Sequence, residues 1–206
     1  VQNAFGLVGV DISSFNPIDE MDKGSAKGLE VYAKQVQVNA TLTQLADIII
    51  GLDVENAETV VSDAMVAAIA AGQSFTNMGD PATIAALLVE VAPALPQALV
   101  DSLSGIIADS NAKIDRIVTQ PPSSDLQSLR KAIASEQAIA QGIQSQLLQS
   151  VALGEITLDQ FQSLLDFNRT VDLGITIERI LDGTEGDDTL VGDDRNDMIT
   201  AFGGND

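Results

Sequence analysis

Over its last stretch, Gly183 to Asp206, the chain repeats itself in steps of nine. Gly183, Gly192 and Ala201 hold the first place, and Gly186, Arg195 and Gly204 the fourth. Asp188, Asp197 and Asp206 hold the sixth, and Leu190 and Ile199 the eighth. Few structures satisfy such a period. Glycine early in each unit permits a tight turn. The apolar residue two places after the aspartate makes a short strand, Thr189-Leu190-Val191 and then Met198-Ile199-Thr200, with its central side chain directed inward. Successive units of this kind stack as the turns of a parallel β-roll.

In such a turn the backbone carbonyls of the first six residues point into the turn, and the sixth-place carboxylate adds a hard oxygen. An all-oxygen shell of that kind suits calcium. The candidate calcium ligands are Gly183, Glu185, Asp187 and Asp188 in the first unit, Gly192, Asp194, Asn196 and Asp197 in the second, and Asp206 in the third. Without a cation the carboxylates of neighbouring turns repel one another at short range. The tail is therefore expected to be unfolded in chelator and folded with metal. An acidic, glycine-rich disordered tail is the bland alternative, but it does not account for glycine, aspartate and an apolar residue recurring in phase.

This stretch resembles the repeats-in-toxin (RTX, hemolysin-type) family of secreted bacterial calcium-binding proteins. The likeness covers about 24 of the 206 residues. GTEGDDTLV fits the pattern; the second unit departs at places two to four, where Asp193-Asp194-Arg195 replaces a glycine-rich turn, and the third begins with Ala201-Phe202 and stops before its strand. The resemblance implies calcium as cofactor, type I export, and a location outside the cell or on an extracytoplasmic surface. Each turn of a roll needs neighbours to bury its apolar residue. The chain, which opens on Val1, is therefore expected to be an internal segment or visible part of a longer protein. The stretch ISSFNPIDEMDKGSAKGLEVYAKQVQVNATLTQLADI is also similar to helical parts of large acidic bacterial RTX proteins, a likeness that carries no activity.

Charge and composition narrow the function further. The formal net charge is −20, which excludes nucleic acid as a partner, since that requires a basic surface, and disfavours simple attraction to anionic lipid. With no cysteine, disulfides and thiolate metal sites are ruled out. With no histidine, so are Ser-His-Asp triads, HExxH zinc sites and imidazole bases. The longest apolar runs, Ala64 to Ala71 and Ala82 to Val89, fall well short of the ~20 residues of a membrane span, so no transmembrane segment is expected, and no signal peptide is visible at Val1.

Upstream of the tail the pattern is helical. Val1 to Leu7 reads as the end of a helix that starts upstream, and Val8 to Pro17 as a connector. Asp19, Glu20 and Asp22 read as acids favoured by a helix N-terminus rather than as a cation site. Long 3.6-residue periods predict helices over 25–50, 54–71 with Asp53 as cap, 81–91 opened by Asp80-Pro81, 96–118, 125–153 with a Ser124/Gln127 capping box, and 157–167 with a Thr157/Gln160 capping box. The inward positions of the last are Phe161, Leu164 and Leu165. Asp80-Pro81 also matches the self-cleaving bond of some RTX proteins, but its surroundings carry no further likeness. An EF-hand reading of Gly154 to Phe161 fails because Val151 and Leu153 fall on ligand positions.

The expected fold is mainly α: a helical bundle followed by the first turns of a calcium-binding parallel β-roll. Residues 1–24 are a connector from an upstream element, 25–170 the bundle, 171–182 a transition in which Ile175, Ile177 and Ile180 form a strand or a short helix that covers the first turn of the roll, and 183–206 its start. The expected function is a non-catalytic, calcium-binding structural or interaction module of a secreted or cell-surface protein, with another protein or surface assembly as partner. Two alternatives stand beside it. One is an accessory subunit bound peripherally to the extracytoplasmic face of a membrane complex, with the alanine-rich helix 54–71 as its contact face. The other is the non-catalytic part of an extracellular hydrolase.

Overall fold

The computed structural model describes residues 1–170, 179–182 and 197–200, with side chains through Asp166. It is mainly helical. A 3₁₀ turn, Gln2–Phe5, is followed by α1 (Pro17–Asp22), α2 (Ala26–Ile50), α3 (Ala57–Ala70), α4 (Pro81–Val91), α5 (Gln97–Thr119) and α6 (Leu126–Ile139). A π-helical turn, Ala140–Gln144, leads into α7 (Ser145–Ala152), and α8 spans Leu158–Thr170. Two short strands, β1 (Arg179–Asp182) and β2 (Asp197–Thr200), complete the described elements.

Helix α2 is the axis of the bundle. It is 25 residues long, hence about 37 Å at 1.5 Å per residue, and α1, α3, α4, α5, α6 and α7 all pack on it. Its N-terminal half supplies Leu29, Ala33 and Val36 to an apolar cluster with Ile18 and Met21 of α1, Ile114 of α5, and Leu129 and Ile133 of α6. Its C-terminal half supplies Leu45, Ile48 and Ile49 to a larger cluster with α3, α4, the first half of α5, α7 and α8. Helix α1 reaches α2 because residue 28 is glycine. A Cβ there would stand 2.6 Å from the Pro17 carbonyl oxygen and 2.8 Å from the Met21 nitrogen.

Local chemistry sets several helix starts as the sequence predicts. Asp80 accepts from the Ala82 amide (3.0 Å) with Pro81 at the first helical position. Thr157 and Gln160 bond reciprocally, the Thr157 amide to Gln160 Oε1 (2.8 Å) and the Gln160 amide to Thr157 Oγ1 (3.2 Å). Asp19 and Glu20 lie in the first turn of α1, capped by Asn16, where carboxylates meet the positive end of the helix dipole.

Elsewhere the structure corrects the sequence reading. Val1 to Leu7 is not the end of a long helix. It is a single 3₁₀ turn closed by Gly6 in the left-handed region (φ 74), pinned where the Phe75 amide donates to the Ala4 carbonyl and the Phe5 and Phe75 rings meet. Asp53 does not cap α3: Asp53 (φ 58) and Asn56 (φ 54) both turn left-handed, a conformation that Asn and Asp tolerate best among side-chain-bearing residues, and the helix starts at Ala57. The cap of α6 is Asp125, accepting from the Ser128 amide at 2.9 Å, not Ser124. Leu164 is 40% exposed rather than inward.

The helix predicted over 125–153 is interrupted. At Gly142 the backbone leaves helical values (φ −94, ψ −107) within the π turn. A π turn accommodates one extra residue, so the buried stripe advances by one position beyond it. Gln144 and Leu148 are buried where the uninterrupted period points to Ile143 and Leu147.

Two glycines test this packing in opposite directions. Gly28→Ala is expected to lower unfolding stability in urea by about 1–3 kcal/mol, the cost of overpacking against backbone. Gly105, in the interior of α5, has nothing within 4 Å of an added Cβ. Gly105→Ala should raise stability by about 0.5–1 kcal/mol through helix propensity alone. A neutral Gly28→Ala would mean that α1 is not held against α2.

Candidate functional site

Among the predicted calcium ligands, Asp197 falls in a described element, as the first residue of β2. Gly183, Glu185, Asp187, Asp188, Gly192, Asp194, Asn196 and Asp206 lie outside the described residues, as does the strand expected at Thr189-Leu190-Val191. Strand β2 contains Met198, Ile199 and Thr200, and it pairs with β1 in parallel, with Arg179 opposite Asp197 and Asp182 opposite Thr200. The offset is 18 residues, twice the nine-residue period. In the phase of the repeats, Gly174 falls on a first place and Leu181 on an eighth. Of the strand or short helix expected in the transition 171–182, a strand, β1, forms and includes Ile180; Arg179 stands in it where the repeats have aspartate.

Inside the bundle lies a second arrangement that the sequence did not announce. Gln37, Thr41 and Gln44 share one face of α2, and all three are buried. Opposite them are Ser110 and Asn111 of α5, and Gln144 and Ser145 at the end of the π turn. Gln37 Nε2 donates to the Asn111 carbonyl at 2.8 Å. Asn111 Nδ2 donates to Thr41 Oγ1 at 2.9 Å and to the Met78 carbonyl at 3.2 Å. Gln144 Nε2 reaches Ser110 Oγ at 2.7 Å and Gln44 Oε1 at 3.3 Å. The Ser145 hydroxyl donates to the Asp47 carboxylate. These groups form a polar belt, because on each of the three helical segments they separate residues of one apolar cluster from residues of the other. Within the belt, Gln44 Nε2 has no partner among the described residues.

A third feature is an apolar cleft between the N-terminal segment and α2, lined by Phe5, Leu7, Ile12, Val31 and Tyr32, with Lys34 at its edge. Lys34 Nζ donates to the Thr76 carbonyl at 3.1 Å. Burial pushes its ammonium below the ordinary lysine range, partly offset by Asp115 and Glu30. Gln35, Asn39 and Gln137 also line the cleft, and the Lys34 ammonium is bonded to Thr76, which does not line it.

Among the described residues no group of three or more acidic, histidine or cysteine side chains is placed to hold a metal ion. Asp19, Glu20 and Asp22 do not converge: Glu20 pairs with Lys23 at 2.9 Å, and Asp22 accepts from Gln127 at 2.8 Å. No described helix is long and apolar enough to cross a membrane. No family model, curated protein or solved structure matches the chain.

The belt predicts an asymmetry between two of its members. Asn111→Ala removes two side-chain bonds and strands Thr41 and the Met78 carbonyl, so a loss of about 2–4 kcal/mol is expected in urea unfolding. Gln44→Met deletes an unpartnered donor and one long 3.3 Å contact from Gln144, which keeps Ser110 as a partner at 2.7 Å, so it should cost under about 1.5 kcal/mol. Equal losses would mean that the belt's bonds do not set its energetics.

Proposed function

We propose that this chain is a non-catalytic calcium-binding module of a secreted or surface-attached protein, in which a preformed helical bundle carries a tail of nonapeptide turns that fold when calcium fills them. The observation that carries the reading is periodicity at two levels. Glycine, aspartate and an apolar residue recur every nine residues, and β1 and β2 pair in parallel at twice that spacing. A roll whose full turn is two nonapeptides requires that register, with a strand on one side for each unit. On this reading the degenerate unit ending at Asp182 is the first rung, and the unit of Asp197 stacks on it.

The mechanism follows from concentration. Extracellular calcium modules bind at roughly 10⁻⁴–10⁻³ M, so the turns stay empty inside a cell and fill outside it. Folding is thereby delayed until export is complete. The bundle, whose clusters are apolar and whose belt is hydrogen-bonded, needs no metal to fold and serves as the spacer or docking unit.

Calcium titration of the full chain, followed by circular dichroism and thermal melting, tests this reading. A gain of β signal is expected with a midpoint of roughly 0.1–1 mM calcium, without response to magnesium and strongly weakened by Asp188→Ala. Helical signal should be unaffected by chelator. No β gain at ~10 mM calcium, well above that range, would reduce the tail to an acidic linker and remove the argument for secretion.

A further inference from the structure

One side of the bundle differs from the rest in charge. Between Lys34 and Lys113 the chain has no basic residue, against nine acids. That interval contains all of α3 and α4 and the first half of α5. Exposed apolar side chains line the grooves on either side of α4: Val89 is 45% exposed, and Ala67, Ala82 and Ala86 are exposed. The exposed carboxylates of Glu90 and Asp101 line the same grooves.

Helix α4 forms a low ridge between two troughs. The trough toward α3 is floored by Ala64, Ala68 and Leu87, with Glu90 at its edge. The trough toward α5 is walled by Ala82, Ala85 and Val89, with Asp101 and Ser104 on the α5 side. Ala86 borders both. Ser104 supplies an independent observation. It is fully buried, it lines the second trough, and its hydroxyl has no hydrogen-bond partner among the described residues. An orphaned buried hydroxyl costs stability unless something satisfies it.

We infer that the α3–α4–α5 face docks a basic amphipathic helix of a partner protein, with aliphatic side chains in the two troughs and lysine or arginine over the acidic rim. Paired troughs along a small-residue ridge match the ridges of a second helix. Aliphatic groups seated on alanine and valine supply the apolar contact of a helix-in-groove complex. The rim supplies the charge complementarity that selects a cationic partner and rejects a second copy of this chain, whose own face carries only acids. This inference rests on the docking half of the proposed function and not on calcium.

The test is fluorescence anisotropy on the full chain in chelator, so that failure of the calcium reading and failure of this one are distinguishable. The probe is a labelled peptide of roughly 18 residues, long enough to form a helix, with leucines on one stripe and lysines beside it. A glutamate-for-lysine version is the control. The lysine peptide should bind saturably and the control should not. Ala86→Arg, which fills both troughs, should weaken binding by about tenfold or more, and Val89→Lys should do the same, against less than about twofold for Ser124→Arg, the same charge change at an exposed site before α6. Circular dichroism checks that each variant is folded. Equal weakening by Ser124→Arg would reduce the effect to net charge and overturn the inference, as would no binding at ~1 mM peptide, weaker than any specific complex argued here. Self-association in sedimentation that Ala86→Arg abolishes would overturn it in favour of a second copy.

Discussion

Six helices pack on α2, and the polar residues on its covered faces cannot reach solvent. Gln37, Thr41 and Gln44 sit between two apolar clusters that would each tolerate some sliding, since dispersion and burial are not directional. Amide and hydroxyl bonds are directional. Asn111 must lie opposite Thr41 and Gln144 opposite Gln44 for the donors and acceptors to meet. The axial position of α5 and of the π turn against α2 is thereby fixed to within about one residue. Satisfied buried networks restrict a core to one arrangement more than they raise its stability. The rest of the bundle follows from that register: α4 lies against α5, and α7 and α8 close over the larger cluster.

The π turn is part of the same constraint. Beyond it an uninterrupted α6 would bury Ile143 and Leu147 and turn Gln144 and Ser145 away from the axis. One inserted residue brings Gln144 to Ser110 and Ser145 to Asp47, and it places Leu148 and Val151 in the apolar cluster below the belt. Gly142 has nothing within 4 Å of an added Cβ. Gly28 is the opposite case, a helical glycine whose missing side chain is the space α1 occupies.

What the sequence made legible was local or periodic. Asp80-Pro81 and Thr157/Gln160 act within one helical turn, and their starts came out in place. The apolar stripes of α2, α4 and α5 were visible because burial leaves a 3.6-residue trace. The belt was not visible, because Gln, Thr and Asn at helical spacing look the same on a solvated face as on a buried one until a neighbour answers them. The turn at Asp53 and Asn56 was misread because aspartate serves equally as a helix cap and as a left-handed residue, and nothing local separates the two. In the tail the period was legible from Gly183 onward. The pairing of 179–182 with 197–200 was not legible, because Arg179 stands where the repeats have aspartate.

The two parts of the chain stand on different physics, and this bears on how calcium could act. The bundle is held by buried aliphatic groups and a neutral hydrogen-bonded belt, so within it calcium has little to neutralise beyond the dispersed charge of solvated faces. The tail has the reverse balance: two apolar residues in each complete unit of nine, an aspartate in phase with them, and strands four residues long. Such strands bury too little to offset the backbone entropy of ordering them, about 1–2 kcal/mol per residue, unless a cation converts the repulsion of stacked carboxylates into coordination. On the proposed function, a folded, calcium-indifferent body joined to a calcium-dependent tail would separate recognition from assembly. The α3–α4–α5 face is held by aliphatic packing alone, whereas the proposed roll would wait for the metal. A partner bound through the bundle would then hold the chain in place while calcium decides when the tail becomes rigid.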